Sequence, residues 1–150
     1  LAEAESILKK MEGISNVQLT KDYNEFIFSV TGNFANVTAL NKAVNGLAEK
    51  MNRSPFPTLR RKNFSYTEGT FTRHFDYPVD AEAYGKLNSM VRYVMETARV
   101  VSIYRFAQPV RRQSNEKARV SPSKKAVMMM TTLGSIAKGE TTPANTIELQ

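Results

Sequence analysis

Arg99, Arg105, Arg111, Arg112, Lys117, Arg119, Lys124 and Lys125 put eight cations into one stretch whose only acid is Glu116. That stretch accounts for the whole net charge of +7, because a second basic excess over 53–77 is offset by acidic segments elsewhere. Clustered cations attract phosphate, sulfate and carboxylate groups, and arginine adds a planar two-pronged donor that lysine lacks. Arg105, Arg111, Arg112, Arg119, Lys124 and Lys125 are the candidate anion-binding residues, on the condition that the strands carrying them are neighbours. Two other readings stand beside this one. The bases could simply line solvent-facing strands and keep an exposed edge from pairing with other chains. They could also bind nucleic acid, with Tyr104-Arg105-Phe106 offering aromatics on which bases stack. The Gly-aromatic-Gly run that marks RNA-recognition strands is absent from the sequence.

Other reactive residue types are sparse. His74 is the one histidine, between Arg73 and Phe75 and two residues before Asp76, and reads as an exposed strand residue. No nucleophile elbow, no His-Glu-x-x-His and no carboxylate cluster accompanies it, so no catalytic residue and no metal ligand set is assigned. Arg73 shares a strand face with Phe71 and Phe75, an arrangement that favours packing of the guanidinium over aromatic rings. The glycines are scattered singly and form no phosphate-cradling loop, leaving nucleotide cofactors without a motif. There is no cysteine, which removes disulfides and thiolate chemistry from the 150 residues. No cofactor is expected.

These residues must be positioned by a chain of one-domain length with 41% hydrophobic and 23% charged residues, a composition typical of globular proteins. No apolar run approaches the roughly 20 residues of a membrane helix. Ala4, Ile7, Leu8 and Met11 recur at helical spacing before Gly13, and Val17 to Val30 alternates as a hairpin turning at Asp22-Tyr23-Asn24. Asn36 caps a second helix with Val37, Leu40, Val44, Leu47 and Met51 on its apolar stripe and Asn41, Lys42, Asn45 and Glu49 on its polar side. Ser54-Pro55-Phe56-Pro57 is an extended connector. Phe64 to Tyr77 reads as a hairpin turning at Glu68-Gly69, and Asp80 caps a helix with Tyr84, Leu87, Val91 and Val94 as its stripe. Val100 to Phe106 is apolar on both faces, as in an inner strand or one that meets a partner. Weaker strands at Val110 to Ser114 and Arg119 to Ser121 precede the turn Ser121-Pro122-Ser123-Lys124. Ala126 to Leu133, a short helix to Lys138 and a last strand at Thr146 to Leu149 complete the order. The three consecutive methionines, Met128 to Met130, fall on alternate faces of their strand and read as core filling. The expected architecture is one α+β domain over residues 1–150, an antiparallel sheet of helix-plus-hairpin units with helices on one face.

Tyr104-Arg105-Phe106, Pro109-Val110, Ser114-Asn115, Ala118 to Ser121 and Lys125 to Leu133 together resemble a module of uncharacterised lipoproteins from gut Gram-negative bacteria. Weaker echoes lie at Gly13 to Val17, at Phe34 to Leu40 with Asn41, and at Thr72-Arg73. The likeness covers about a third of the chain. It implies export to the cell envelope, in the periplasm or at the outer-membrane surface, and a lipid anchor on a cysteine preceding Leu1; it brings no catalytic residues with it. The start without an initiator methionine fits a removed leader. The reading is therefore a non-enzymatic envelope lipoprotein domain that binds or scaffolds, with anionic lipid or glycan as partner. The alternative is a cytosolic nucleic-acid-binding protein.

Overall fold

Apolar residues at helical spacing and at strand spacing alternate along the chain, and helices and strands alternate with them, with one expected helix divided in two. The computed structural model describes residues 2–25, 27–51 and 61–150. Expectations resting on Leu1, Phe26, Arg60 and the Ser54-Pro55-Phe56-Pro57 connector lie outside these residues, as do the side chains of Phe28 and Met51. The elements are α1 (Ala2–Lys9), β1 (Ile14–Asp22), β2 (Ile27–Phe34), α2 (Val37–Met51), β3 (Phe64–Thr67), β4 (Thr70–Arg73), α3 (Ala81–Gly85), α4 (Ser89–Thr97), β5 (Arg99–Arg105), β6 (Val110–Gln113), β7 (Arg119–Val120), β8 (Ala126–Thr132), α5 (Leu133–Ala137) and β9 (Asn145–Leu149). The class is α+β, and every strand pairing with a described register is antiparallel. The strands are shared among three sheets, with orders β1-β2, β3-β4-β9-β6 and β5-β8-β7. The chain divides into two compact units, Leu1–Phe64 and Ser65–Gln150.

In the first unit, Leu8, Val17 and Ala43 form a small core, with Met11, Ile14 and Leu47 packed against it. Gly13 adopts φ +79°, and a Cβ there would lie 2.8 Å from the Cβ of Ala39, so both backbone and space demand glycine. Asp22 Oδ1 accepts from the amides of Asn24 and Glu25, which folds the β1–β2 turn locally. Asn36 Oδ1 accepts from the Ala39 amide at 2.9 Å, the expected cap of α2. The polar side of α2 departs from expectation. Half-buried Asn41 and Asn45 bind backbone; Asn41 Oδ1 accepts from the amides of Asn63 and Phe64 while its Nδ2 donates to Phe64 O. Asn45 pairs in the same way with both backbone groups of Arg61. Side-chain amides one helical turn apart thus satisfy an extended backbone as a neighbouring strand would.

In the second unit, aromatic rings join the four-stranded sheet to the three-stranded one. The Phe71 ring meets those of Tyr104 and Phe106 at centroid distances of 5.0 and 5.6 Å. Val110, Ala118, Val127, Met129 and Ile147 are buried with it. The β3–β4 hairpin turns at Glu68 and Gly69, both at positive φ, as a two-residue turn of the type matched to strand twist requires. Asp80 caps α3 as expected. The single helix expected beyond it is broken, because Asn88 Oδ1 accepts from the Val91 amide and starts α4 afresh. As a result Tyr84 is buried on α3 while Val91 and Val94 are exposed on α4. Tyr84 Oη donates to Glu96 Oε1 at 2.6 Å, and Lys138 Nζ lies 3.1 Å from that same oxygen, a network that ties α3 and α4 to the residue following α5. The shared hydrogen bonds hold the Glu96 carboxyl below its usual range and push the Tyr84 hydroxyl and the Lys138 ammonium upward.

β5 is not an inner strand. β8 is central, and β5 runs along one side of its sheet with alternate residues exposed. Sequence periodicity reports which faces are apolar, whereas strand order depends on the distant β8.

Candidate anion-binding surface

The register of β5 on β8 ends at Arg105 opposite Ala126, and the Phe106 amide continues the ladder by donating to Lys125 O at 2.9 Å. Four residues on, the Val110 amide donates to Lys124 O at 2.6 Å. These two bonds bring the end of β5, the start of β6 and the β7–β8 turn to one corner. Lys124 takes φ +59° in that turn, and its own amide donates to Ser121 O. Arg105, Arg111, Lys124 and Lys125 are all exposed there.

Arg111 and Arg112 reach the surface together because β6 is irregular. Val110 faces Leu149 and Arg112 faces Glu148, so Arg111 is an extra residue on β6. In an unbroken strand two consecutive arginines would point to opposite faces. The bulge leaves Val110 buried and both arginines exposed. Arg112 Nη2 donates to Glu148 Oε1, which raises the arginine pKa and lowers that of the glutamate. Arg112 therefore brings a charge already matched. Arg105, Arg119, Lys124 and Lys125 make no ion pair among the described residues, and Arg111 acts on Glu148 only through space. Arg119 is on β7, paired opposite Met128, away from this corner. Of the six candidates, the structure thus gathers four, engages one internally and places one apart.

Other polar features escaped the sequence reading. His74 is half-buried, not exposed, and its Nε2 lies 2.8 Å from Ser65 Oγ. The pair has the separation of a nucleophile and a base, but Ser65 lies on β3 and His74 directly follows β4, so the hairpin alone brings the two side chains near each other. Arg73 Nη1 donates to His74 O. Arg73, Asp76, Glu116, Lys117 and Glu140 contribute charges of both signs to an open cleft of about 510 Å³ that His74 also lines. The cleft floor is fixed by Asn115, whose Nδ2 donates to Thr142 O and Ala144 O, and by Asn145, whose Oδ1 accepts from the Ser114 and Asn115 amides. Its lining comes from three separated stretches, so only the fold could reveal it. Among the described residues no group of three His, Cys, Asp or Glu side chains could hold a metal ion. No described helix is long and apolar enough to cross a membrane. No protein family model, curated protein or solved structure matches the chain.

Proposed function

We propose that this chain is a non-catalytic binding module of the bacterial cell envelope, exported and lipid-anchored, whose basic corner engages an anionic partner bearing phosphate, sulfate or carboxylate groups. One observation carries the binding reading. Arg105, Arg111, Lys124 and Lys125 come from three separate stretches and are brought to one corner by the Phe106–Lys125 and Val110–Lys124 backbone bonds. The envelope reading rests on the resemblance of the C-terminal third, and Tyr104 to Phe106, Pro109-Val110 and Lys125 onward, which carry that resemblance, also build this corner. Anionic lipid and acidic glycan share the chemistry.

The test measures binding to vesicles containing phosphatidylglycerol, to neutral phosphatidylcholine vesicles and to a sulfated glycan, at physiological ionic strength. Changing Arg105, Arg111, Lys124 and Lys125 together to Gln weakens binding by about a thousandfold, since each base near an anionic surface contributes about 1 kcal/mol nearly independently. Arg112→Gln has little effect. Equal binding by the quadruple variant and the parent overturns the proposal, as does a signal confined to dilute buffer, where screening beyond about 8 Å no longer operates.

A further inference from the structure

The outer face of the β5-β8-β7 sheet pairs an apolar centre with a cationic border. Val101 is opposite Met130 and Ile103 opposite Met128, and residues paired across strands share a face. The four side chains form a two-by-two block, 51%, 56%, 43% and 44% exposed respectively. Arg99, opposite Thr132, and Arg105, opposite Ala126, bracket the block along β5; Arg119 flanks Met128 from β7. All three arginines are exposed, and none of the three strands contains an acidic residue. Met129, between the two exposed methionines, is buried in the core, so the face is held by a packed sheet.

We infer that this face docks onto an anionic phospholipid surface, with Val101, Ile103, Met128 and Met130 entering the boundary of the acyl region and Arg99, Arg105 and Arg119 pairing with lipid phosphates. The inference deepens the proposed function and rests on it, because Arg105 belongs to both the basic corner and the border. Two observations select lipid over protein. Four half-exposed side chains present a few hundred Å² at most, well short of the about 800 Å² per partner of a standard protein interface. A second copy docked face to face would set an arginine border against an arginine border, which like charges oppose. A bilayer suffers neither difficulty. Shallow insertion needs no matching relief, and arginine stems lie along apolar surface while their guanidinium groups reach phosphate.

The test compares the parent with Val101→Thr/Ile103→Thr/Met128→Gln/Met130→Gln, substitutions at exposed sites in which threonine suits a strand. Sedimentation with vesicles of equal parts phosphatidylglycerol and phosphatidylethanolamine is followed as salt is raised. Each methylene withdrawn from the acyl boundary weakens partitioning about fourfold, so the variant loses at least about tenfold in affinity. The parent keeps a salt-resistant bound fraction that the variant lacks. Equal binding of both proteins to these vesicles overturns insertion and leaves anion recognition standing. Binding to the sulfated glycan without binding to vesicles does the same, and binding to neither removes both readings. If the parent is a dimer by sedimentation and the variant a monomer, the face is a self-association surface and the lipid inference falls.

Discussion

Replacing Asn115 by Ala removes three hydrogen bonds with oxygen acceptors, and a weaker one from Nδ2 to Met129 Sδ at 3.5 Å, at a buried position. Its Nδ2 donates to Thr142 O and Ala144 O, both at 2.8 Å, and its Oδ1 accepts from the Lys117 amide at 2.9 Å. A neutral hydrogen bond contributes about 1 kcal/mol net, and a buried partner left unpaired costs more. Thr142 is exposed, so its carbonyl recovers water, while the surroundings of Ala144 are half-buried. The expected loss is about 3 kcal/mol, a large share of a typical domain stability of about 5–15 kcal/mol. Asn115→Asp keeps the shape but turns a donor into a carboxylate oxygen facing two carbonyls. At neutral pH it is therefore less stable than the Ala variant. Repulsion raises the folded pKa of the new carboxyl above its unfolded value, so the penalty is relieved as pH falls through that folded value. Urea unfolding followed by tyrosine fluorescence suits the measurement, because Tyr66, Tyr77, Tyr84, Tyr93 and Tyr104 lie in the second unit and only Tyr23 in the first. A midpoint shift at constant slope worth less than about 1 kcal/mol in the Ala variant, or an Asp variant as stable as the parent at neutral pH, refutes the reasoning.

Wild-type stability also varies with pH at both ends. The lowered pKa values of Glu96 and Glu148 give a contribution fully present above the ordinary glutamate value of about 4.3 and lost as pH falls through the depressed folded values. The raised values of Tyr84 and Lys138 give one present below their ordinary values of about 10 and lost as pH rises through the folded ones. Glu96→Gln flattens both limbs, and a denaturation series across pH that leaves the two profiles parallel would sink this assignment. Asn41→Ala speeds amide hydrogen exchange at Asn63 and Phe64, whose N–H groups its Oδ1 accepts, at a cost of about 2 kcal/mol; unchanged exchange at those two amides counts against the clamp. His74→Ala costs about 1 kcal/mol through the lost Ser65 bond, and turnover on a broad substrate panel that disappears in this variant would instead reveal catalysis.

Local chemistry was legible and partnership was not. The Asn36 and Asp80 caps, the Glu68-Gly69 turn and the Ser121 to Lys124 turn each depend on residues within a few positions, and all form as read. Periodicity puts Asn41 and Asn45 on the polar side of α2 without showing that the backbone of Arg61 to Phe64 comes to lie against them. Asn88-Ser89 held a capping signal that the apolar spacing from Tyr84 to Val94 outweighed. Met128 to Met130 do alternate, but only Met129 fills core, since which face is covered depends on distant residues such as Asn115, whose Nδ2 contacts Met129 Sδ. Clustering of the bases was evident in the sequence. Its division into a corner, the Glu148-bound Arg112 and the separate Arg119 depended on strand order and on one extra residue in β6.

That extra residue has a consequence for how the chain tolerates changes of length. Loss of one residue from a regular strand turns every later side chain to the opposite face. In β6 the phase on either side of Arg111 already matches that of β9, with Val110 set against Leu149 and Gln113 against Ile147. A chain lacking Arg111 would pair Val110, Arg112 and Gln113 in unbroken alternation, apolar contacts intact. The positive charge of this corner can therefore be raised or lowered by insertion or deletion, with the hydrophobic interior indifferent to the edit.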